Sequence, residues 1–427
     1  MTSDWFQKAQ AFKKLNDWAG VISVLEQARQ QFPQDTNLLG ELAFSYSQVN
    51  RYPDAIAIYK ALCESQPEMA RWFYGLGYQY YAQQQYAQAV THFDEALKVN
   101  PDYIVVLYRK GYALSQLKKT GAALTSLEKC RTVFNALPSG ETKDRERKHY
   151  ADACFQQGKI FGKVGNHRLA EERLLEAVKL MPNDPNAHYN LAKVYIALER
   201  FEEAIVHLEE AQRLSSQSQH YILDYLGRAY TGMGQYKRAL EIYETMPPHI
   251  QKRAYILRNM AEVYIQLERW DQAQTTLEQA VKCEYKNHNG HYWLGHVYQN
   301  QGNLRRAAQE YQKAIDLRQQ QYNKPFDEAS QALQSLTSHH PELEAMLEKK
   351  RSSLPVSSSG CPVGCVKIYF EEKGYGFLTI QGQKNDIFFH ITEVKNRESV
   401  SVGEYFEYEM GVGRKGKPCA VNLRFIQ

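Results

Sequence analysis

Apolar residues recur along the first three quarters of the chain at spacings of three and four positions, the period of an amphipathic helix. Short polar turns, such as Gly165-Asn166 and Gly302-Asn303, separate one apolar run from the next. Beyond residue 360 the period shortens to two, and turns containing Gly or Asp separate short aromatic runs. The pattern predicts a long series of helices followed by a small all-β domain.

The helical part repeats with a period of about 34 residues. In one copy Gly77 is followed after 12 residues by Ala89 and after 16 by Phe93, and the same offsets start from Gly227 and Gly295. Small residues at two fixed points let paired helices approach closely, and larger ones fill the space between them. The pattern resembles the tetratricopeptide repeat, a helix-turn-helix unit. This resemblance implies a mainly α protein built on a right-handed α-solenoid that binds a protein or peptide in its groove.

We predict four regions along the chain. Residues 1–321 hold nine repeats with an insertion at 138–150, and 322–351 form capping helices, because a solenoid needs a polar end. Residues 352–360 form a Ser-rich linker, and 361–427 are long enough for a five-stranded β-barrel. The nine repeats are expected at 2–35, 36–69, 70–103, 104–137, 151–184, 185–218, 220–250, 254–287 and 288–321.

Two aromatic motifs mark the barrel. They are Lys373-Gly-Tyr-Gly-Phe377 and Asp386-Ile-Phe-Phe-His390, and together they resemble the nucleic-acid-binding motifs of the cold-shock domain, an OB-type barrel. Alternation along neighbouring strands places four of their rings on one face, where unpaired bases can stack. The alternative is that these rings belong to the barrel core. The predicted nucleic-acid-binding residues are Lys367, Tyr369, Lys373, Tyr375, Phe377, Phe388 and His390.

The motifs depart from the family pattern in the first strand, where Ile368-Tyr369 stand in place of Trp-Phe, and after His390, where Ile391 replaces an aromatic residue. The domain has nine Lys and Arg against eight Asp and Glu, so electrostatic attraction to phosphates is small. We therefore expect weaker single-strand binding than that of a free cold-shock protein.

The chain has 30 tyrosines, about 7% of its residues and roughly double ordinary usage. Many fill repeat positions between helices, and others fall on the first-helix face that lines the groove. Five groove tyrosines cluster in two consecutive repeats beside two arginines and are candidate anchors for a partner. These seven residues are Arg71, Tyr74, Tyr78, Tyr81, Tyr108, Arg109 and Tyr112.

A basic ladder occupies one groove position in repeats five to seven and consists of Lys159, Lys193 and Arg228. It suits a carboxylate-rich peptide or a phosphate backbone, and a solvated surface is the alternative. Four further candidate groove residues lie near it: Tyr189, Asn190, Arg258 and Asn259.

The composition of the chain limits the classes of function that it can have. The net charge of +4 gives no strongly basic surface, and the seven scattered cysteines favour a reducing, cytoplasmic location over a disulfide framework. The chain shows no apolar run of membrane-spanning length, no phosphate loop, no nucleophile elbow and no zinc motif. We expect no membrane association, enzymatic activity, cofactor or metal.

The sequence thus predicts an adaptor. Its solenoid binds a protein, and its barrel binds single-stranded RNA or, less readily, DNA in RNA-level or transcript regulation, a process that the cold-shock resemblance implies. One alternative is a protein scaffold whose degenerate barrel is another protein contact. Another is that the groove itself holds RNA.

Overall fold

The computed structural model describes residues 2–215, 219–352, 361–380, 386–395, 399–413 and 418–426. All of the predicted linker except Ser352 lies outside these ranges. The chain divides into two compact units, residues 1–268 and 269–427. The limits of repeats, caps and linker remain a sequence prediction.

The first unit is helical throughout its described part. Its helices are α1 (Thr2–Lys14), α2 (Trp18–Gln31), α3 (Thr36–Gln48), α4 (Tyr52–Ser65), α5 (Ala70–Ala82), α6 (Tyr86–Val99), α7 (Ile104–Gln116), α8 (Thr120–Ala136), α9 (Glu141–Lys163), α10 (His167–Leu180), α11 (Pro185–Ala197), α12 (Phe201–Leu214), α13 (His220–Gly232), α14 (Tyr236–Glu244), α15 (Pro248–Gln251) and α16 (Ala254–Gln266).

The second unit contains helices and one sheet. Its helices are α17 (Trp270–Cys283), α18 (His288–Asn300), α19 (Leu304–Tyr322), α20 (Asp327–His339) and α21 (Pro341–Ser352). Its strands are β1 (Val363–Phe370), β2 (Tyr375–Thr379), β3 (Ile387–His390), β4 (Val394–Lys395), β5 (Tyr405–Val412) and β6 (Pro418–Ile426).

A left-handed turn residue ends the first helix of each helix pair, with φ between 54° and 80°. The following N–H bonds to the carbonyl five residues earlier, as from Asp17 to Phe12 at 3.0 Å and from Gln85 to Tyr80 at 2.9 Å. These turn residues are Asn16, Asn50, Gln84, Lys118, Gly165, Glu199, Gly234, Glu268 and Gly302. They are 34 or 35 positions apart except across the insertion, so the structure has the period that the sequence predicts.

Close packing within each pair follows the small-to-large pattern of the sequence. A Cβ added to Gly77 would lie 2.7 Å from the ring of Phe93, and one on Gly227 would lie 2.4 Å from the ring of Tyr243. Tyr243 is fully buried. The glycines are therefore required by the close approach of the two helices.

Two irregular segments match the sequence pattern. The latter part of the insertion extends α9, which has 23 residues against 13 or 14 in most first and second helices. In repeat seven, α14 has only nine residues, because Pro247 and Pro248 interrupt the second helix.

The six strands form one sheet in the order β3-β2-β1-β5-β6-β4, and β3 also pairs with β6, which closes a barrel of five strands. The two-residue β4 adds to β6 in parallel. Phe389, Phe406 and Tyr408 are among the largest side chains of its core. The closed barrel places one face of β2 and β3 toward the outside, where the candidate site lies.

No helix within the described ranges combines the length and apolar character needed to cross a bilayer.

Candidate nucleic-acid platform and binding groove

The outer face of β2 and β3 carries an aromatic platform made of Tyr375, Phe377, Phe388 and His390. Antiparallel pairing sets Tyr375 opposite His390 and Phe377 opposite Phe388. The intervening residues, such as Phe389, point into the core and are buried. The sequence allowed these rings to lie either on an outer face or in the barrel core. Because of this alternation, the four rings lie outside the core.

The platform rings form a continuous surface. The ring centre of Phe388 lies 5.6 Å from that of Tyr375 and 5.8 Å from that of Phe377. Tyr375 and Phe377 are 6.4 Å apart in a T-shaped arrangement. The Phe388 side chain is 36% exposed, an unusual degree for phenylalanine. Unpaired bases can stack on such a surface.

Gly376 makes the platform possible. A Cβ at this residue would lie 2.4 Å from the carbonyl oxygen of Ile368 and 2.7 Å from the ring of Phe389. Any side chain here would push β2 away from β1 and from the core. The glycine between the two motif rings therefore has a steric cause.

Tyr369, predicted to bind nucleic acid, lies apart from the four platform rings. The pairing of β1 with β2 shifts by one residue between Val366 and Ile368, so a bulge at Lys367 reverses the alternation of β1. Tyr369 consequently stacks on the core ring of Phe389, with ring centres 6.1 Å apart and planes at 9°. The half-buried Tyr369 therefore packs against the core side of the sheet, and its contact with nucleic acid stays a prediction.

The next residue, Phe370, lies on the platform side of β1. It pairs with Tyr375 across the hairpin, and their ring centres are 5.1 Å apart. Its side chain is 42% exposed. Phe370 thus extends the platform by one ring.

The two predicted phosphate-binding lysines differ in their surroundings. Lys367 forms an ion pair with Asp386 at 2.5 Å, and Thr379 donates to the same carboxylate at 2.6 Å. Burial raises the pKa of Asp386, but these hydrogen bonds outweigh burial and leave the pKa below its ordinary value. Lys373 is exposed beside the platform. Lys373 is the better placed of the two to contact a phosphate.

His390 has a defined orientation. Its Nδ1 accepts a hydrogen bond from the backbone N–H of Thr392 at 3.3 Å and lies 2.9 Å from the Thr392 hydroxyl. A neutral imidazole with an accepting Nδ1 carries its proton on Nε2. The ring can therefore present an N–H donor at the platform edge.

The aromatic cluster predicted in repeats three and four is brought together in the first unit. Tyr78 stacks on Tyr81 at 6.1 Å, and Tyr81 lies 5.6 Å from Tyr112. Tyr74 lies 6.2 Å from Tyr78. Tyr108 instead stacks on His149 of α9, at 6.1 Å. His149, which sequence reasoning missed, comes from the insertion.

The two cluster arginines lie against rings. The Arg109 guanidinium is 4.6 Å from the ring centre of Tyr78, and its Nε donates to the Tyr74 hydroxyl at 3.1 Å. Arg71 lies 4.1 Å from the ring centre of Trp72. The cations are held in place by their aromatic neighbours.

Each residue of the basic ladder also lies over an aromatic ring. The distances to the ring centres are 5.1 Å from Lys159 to Phe155, 5.4 Å from Lys193 to Tyr189, and 4.6 Å from Arg228 to Tyr225. Burial, and then repulsion from Lys163 and Lys193, lowers the pKa of Lys159. Among the described ion pairs none involves the ladder, although Arg228 lies within electrostatic range of Asp224 and Glu262.

The polar residues near the ladder are mostly engaged within the protein. Asn190 donates to the carbonyl of Asn186 at 2.8 Å, and Asn259 donates to the Asp224 carboxylate at 2.6 Å. Arg258 is half-buried on the next first helix. Asn190 and Asn259 would have to exchange these partners to hold a ligand.

Family models match both parts of the chain. Models of the tetratricopeptide repeat match residues 14–74, 70–103, 104–131, 184–245 and 252–323. The model described as a 'Cold-shock' DNA-binding domain matches residues 363–426. The fold and the two sites define a helical-repeat binding protein with a nucleic-acid-binding barrel. The chain belongs to the tetratricopeptide repeat proteins and carries a C-terminal domain of the cold-shock family.

The curated relatives match in separate segments. Cold shock-like protein CspC of Escherichia coli K12 is 35% identical over 65 residues, which are 15% of this chain and 93% of that protein. BBSome complex member BBS4 of Bos taurus is 27% identical over 161 residues, 38% of this chain and 31% of that protein. The chain thus spans less than a third of the length of BBS4.

Solved structures resemble the helical part. A tetratricopeptide repeat protein from Parabacteroides merdae is 16% identical and has a TM-score of 0.41, covering 61% of this chain and 98% of that one. PilW, a type IV pilus biogenesis factor, is 19% identical with a TM-score of 0.43, covering 54% and 98%.

Proposed function

We propose that this protein is a non-enzymatic adaptor whose solenoid binds a protein and whose barrel binds single-stranded RNA. The observation that carries the proposal is the exposed aromatic platform, since the core does not account for its rings. The cold-shock family supports nucleic-acid binding at this domain, and the repeat family supports protein binding by the helices.

The platform favours unpaired strands over duplexes. Stacking needs exposed base faces, and a duplex offers them only at its ends. The domain's small excess of one positive charge adds little attraction to a duplex backbone. We therefore assign the site to single-stranded RNA in RNA-level or transcript regulation, with single-stranded DNA a weaker ligand.

Substitution of two platform rings tests this assignment. In the full chain, Tyr375→Ala with Phe388→Ala should weaken binding of a labelled 12-nucleotide oligouridine by about 25-fold or more, because each stacked base contributes about 1–3 kcal/mol. Val412→Ala is the matched control, since Val412 is 80% exposed on β5. Fluorescence anisotropy measures both, and equal affinity of the platform variant and wild type would refute the proposal.

The alternative function is a protein scaffold in which the barrel is another protein contact. The absence of the family's ring at Ile368 and at Ile391 favours this alternative. The same platform variant separates the two functions. Lost oligouridine binding with retained protein partners supports the adaptor, whereas retained oligouridine binding with lost partners supports the scaffold.

A further inference from the structure

A cavity of about 600 Å3 opens among the first helices of repeats one to four. Phe6, Phe44 and Tyr78 contribute apolar surface, and Arg71 and Arg109 contribute positive charge. Phe44 is 41% exposed. The cavity therefore combines uncovered apolar surface with two cations.

Arg109 has no carboxylate partner in the described structure. Its hydrogen bond goes to the Tyr74 hydroxyl, and its guanidinium lies near the rings of Tyr78, at 4.6 Å, and Tyr81, at 5.3 Å. Asp152 is within electrostatic range, but the two groups form no ion pair. Burial lowers the pKa of Arg109, but Tyr74, Tyr78 and Tyr81 outweigh burial and raise it, so the guanidinium stays charged and can bind an anion from outside.

Arg71 adds a second positive group to the same cavity. Its Nη2 donates to the side-chain oxygen of Asn37 at 3.1 Å. The cavity's acidic residue, Glu41, is already paired with Lys13. The charge left uncompensated in the cavity is therefore positive.

The inserted part of α9 places two polar side chains beside the cluster. His149 Nδ1 and Glu146 Oε2 are buried and have no hydrogen-bond partner among the described residues. The His149 ring stacks on Tyr108. Burial, and then the charge of Arg109, lowers the pKa of His149 and favours its neutral form. Water or the N–H groups of a bound chain can supply hydrogen-bond partners to these atoms.

The aromatic arrangement favours a peptide over a nucleic acid. The faces of Tyr78 and Tyr81 are occupied by one another and by Arg109, and Tyr74 stacks on Phe93 at 6.2 Å. A base would find no open ring face between them. A carboxylate needs only the guanidinium, which it can meet with two parallel hydrogen bonds.

We propose that this cavity binds an Asp or Glu side chain of a partner polypeptide, with the carboxylate on Arg109 and an adjacent apolar residue against Phe44. The inference rests on the proposed function, since it names the chemistry that the solenoid recognises. Arg71 contributes long-range attraction to the same carboxylate.

Peptide selection on the full chain tests the inference. A phage-displayed library of random 12-residue peptides should yield sequences with Asp or Glu next to an apolar residue. For a synthetic peptide of the selected sequence, changing that acid to its amide should weaken binding at least about tenfold, because hydrogen bonds to charged groups are the strong ones. Calorimetric titration measures both peptides.

Substitution of the arginine then assigns the contact. Arg109→Gln should bind the acidic and amide peptides equally, whereas the control variant Arg29→Gln, at an exposed arginine on α2, should keep the tenfold discrimination. Arg109→Lys keeps the positive charge without the planar guanidinium, and it should retain part of the discrimination between the acidic and amide peptides. Circular dichroism establishes that each variant is folded.

Three outcomes would overturn the inference. They are selected peptides without an acidic preference, an Arg109→Gln variant that still discriminates, and an Arg109→Gln variant that loses oligouridine binding while its peptide binding is unchanged. If wild type selects no peptide at all, the proposed protein-binding function fails together with the inference.

Discussion

Two glycines should respond oppositely to the same substitution, Gly→Ala: Gly227 in the interior of α13 and Gly162 in the last turn of α9. Gly227 lies on α13 against the buried ring of Tyr243, and a Cβ there would come within 2.4 Å of that ring. Gly162 lies on α9, and its nearest neighbours would be Val194 and Ala170 at 3.8 and 3.9 Å, an ordinary contact distance. Comparing the stabilities of the two variants therefore separates the effect of helix propensity from that of packing.

The expected magnitudes come from two opposing effects. Alanine in place of glycine stabilises a helix by roughly 0.5–1 kcal/mol. Overpacking a filled interface costs about 1–3 kcal/mol. Repeat two has Ala43 and Tyr59 at the positions of Gly227 and Tyr243. An alanine can therefore stand opposite a tyrosine ring at this place in a repeat once the ring shifts. We expect Gly227→Ala to lose about 1 kcal/mol and Gly162→Ala to gain about 0.5 kcal/mol.

Urea unfolding followed by circular dichroism at the helical band measures the two effects. The midpoint should fall for Gly227→Ala and rise for Gly162→Ala. Hydrogen exchange should locate the first change in α13 and α14. A rise in the midpoint for both variants would show that the helices of repeat seven do not approach as closely as described, and would refute the packing argument.

Three further outcomes follow from the sites. Reversal of all three ladder residues to Glu should weaken binding of a fluorescein-labelled oligoglutamate peptide by at least about tenfold with little change in stability; unchanged affinity would make the ladder a solvated surface. Ile368→Trp places a ring opposite Phe377 and should tighten oligouridine binding by about fivefold or more in an anisotropy titration; no gain would mean that this position does not contact the strand. Burial, and then the charge of a neighbouring histidine, lowers the pKa of His207. Just below the ordinary pKa of 6.5, the unfolded chain therefore binds more protons than the folded chain, and the free energy of unfolding falls as the pH drops through this range. His207→Gln should reduce this loss in thermal unfolding at pH 7 and pH 5, whereas the exposed His249→Gln should not.

The repeats and the platform could be predicted from sequence because each depends on a fixed period. A spacing of 34 residues returns a residue to the same side of its helix pair, and alternation in β2 and β3 brings Tyr375 and Phe388 to one face. Both arguments need only local geometry. The family motifs then pointed to the chemistry of that face.

The position of Phe370 on the platform side of β1 could not be predicted from sequence. A single bulge at Lys367 inverts the alternation, and no residue type marks it. Similarly, the insertion at 138–150 is visible in the sequence, but nothing in it reveals that His149 stacks on Tyr108. Contacts between elements distant in sequence depend on tertiary packing.

The platform should bind unpaired bases in preference to paired ones. The most direct test is an anisotropy titration of the full chain with a 12-nucleotide oligouridine and with a 12-base-pair RNA duplex at one salt concentration. We expect at least about tenfold tighter binding of the single strand, and this preference should disappear when Tyr375 and Phe388 are replaced by alanine. Equal affinity of wild type for both ligands would contradict it.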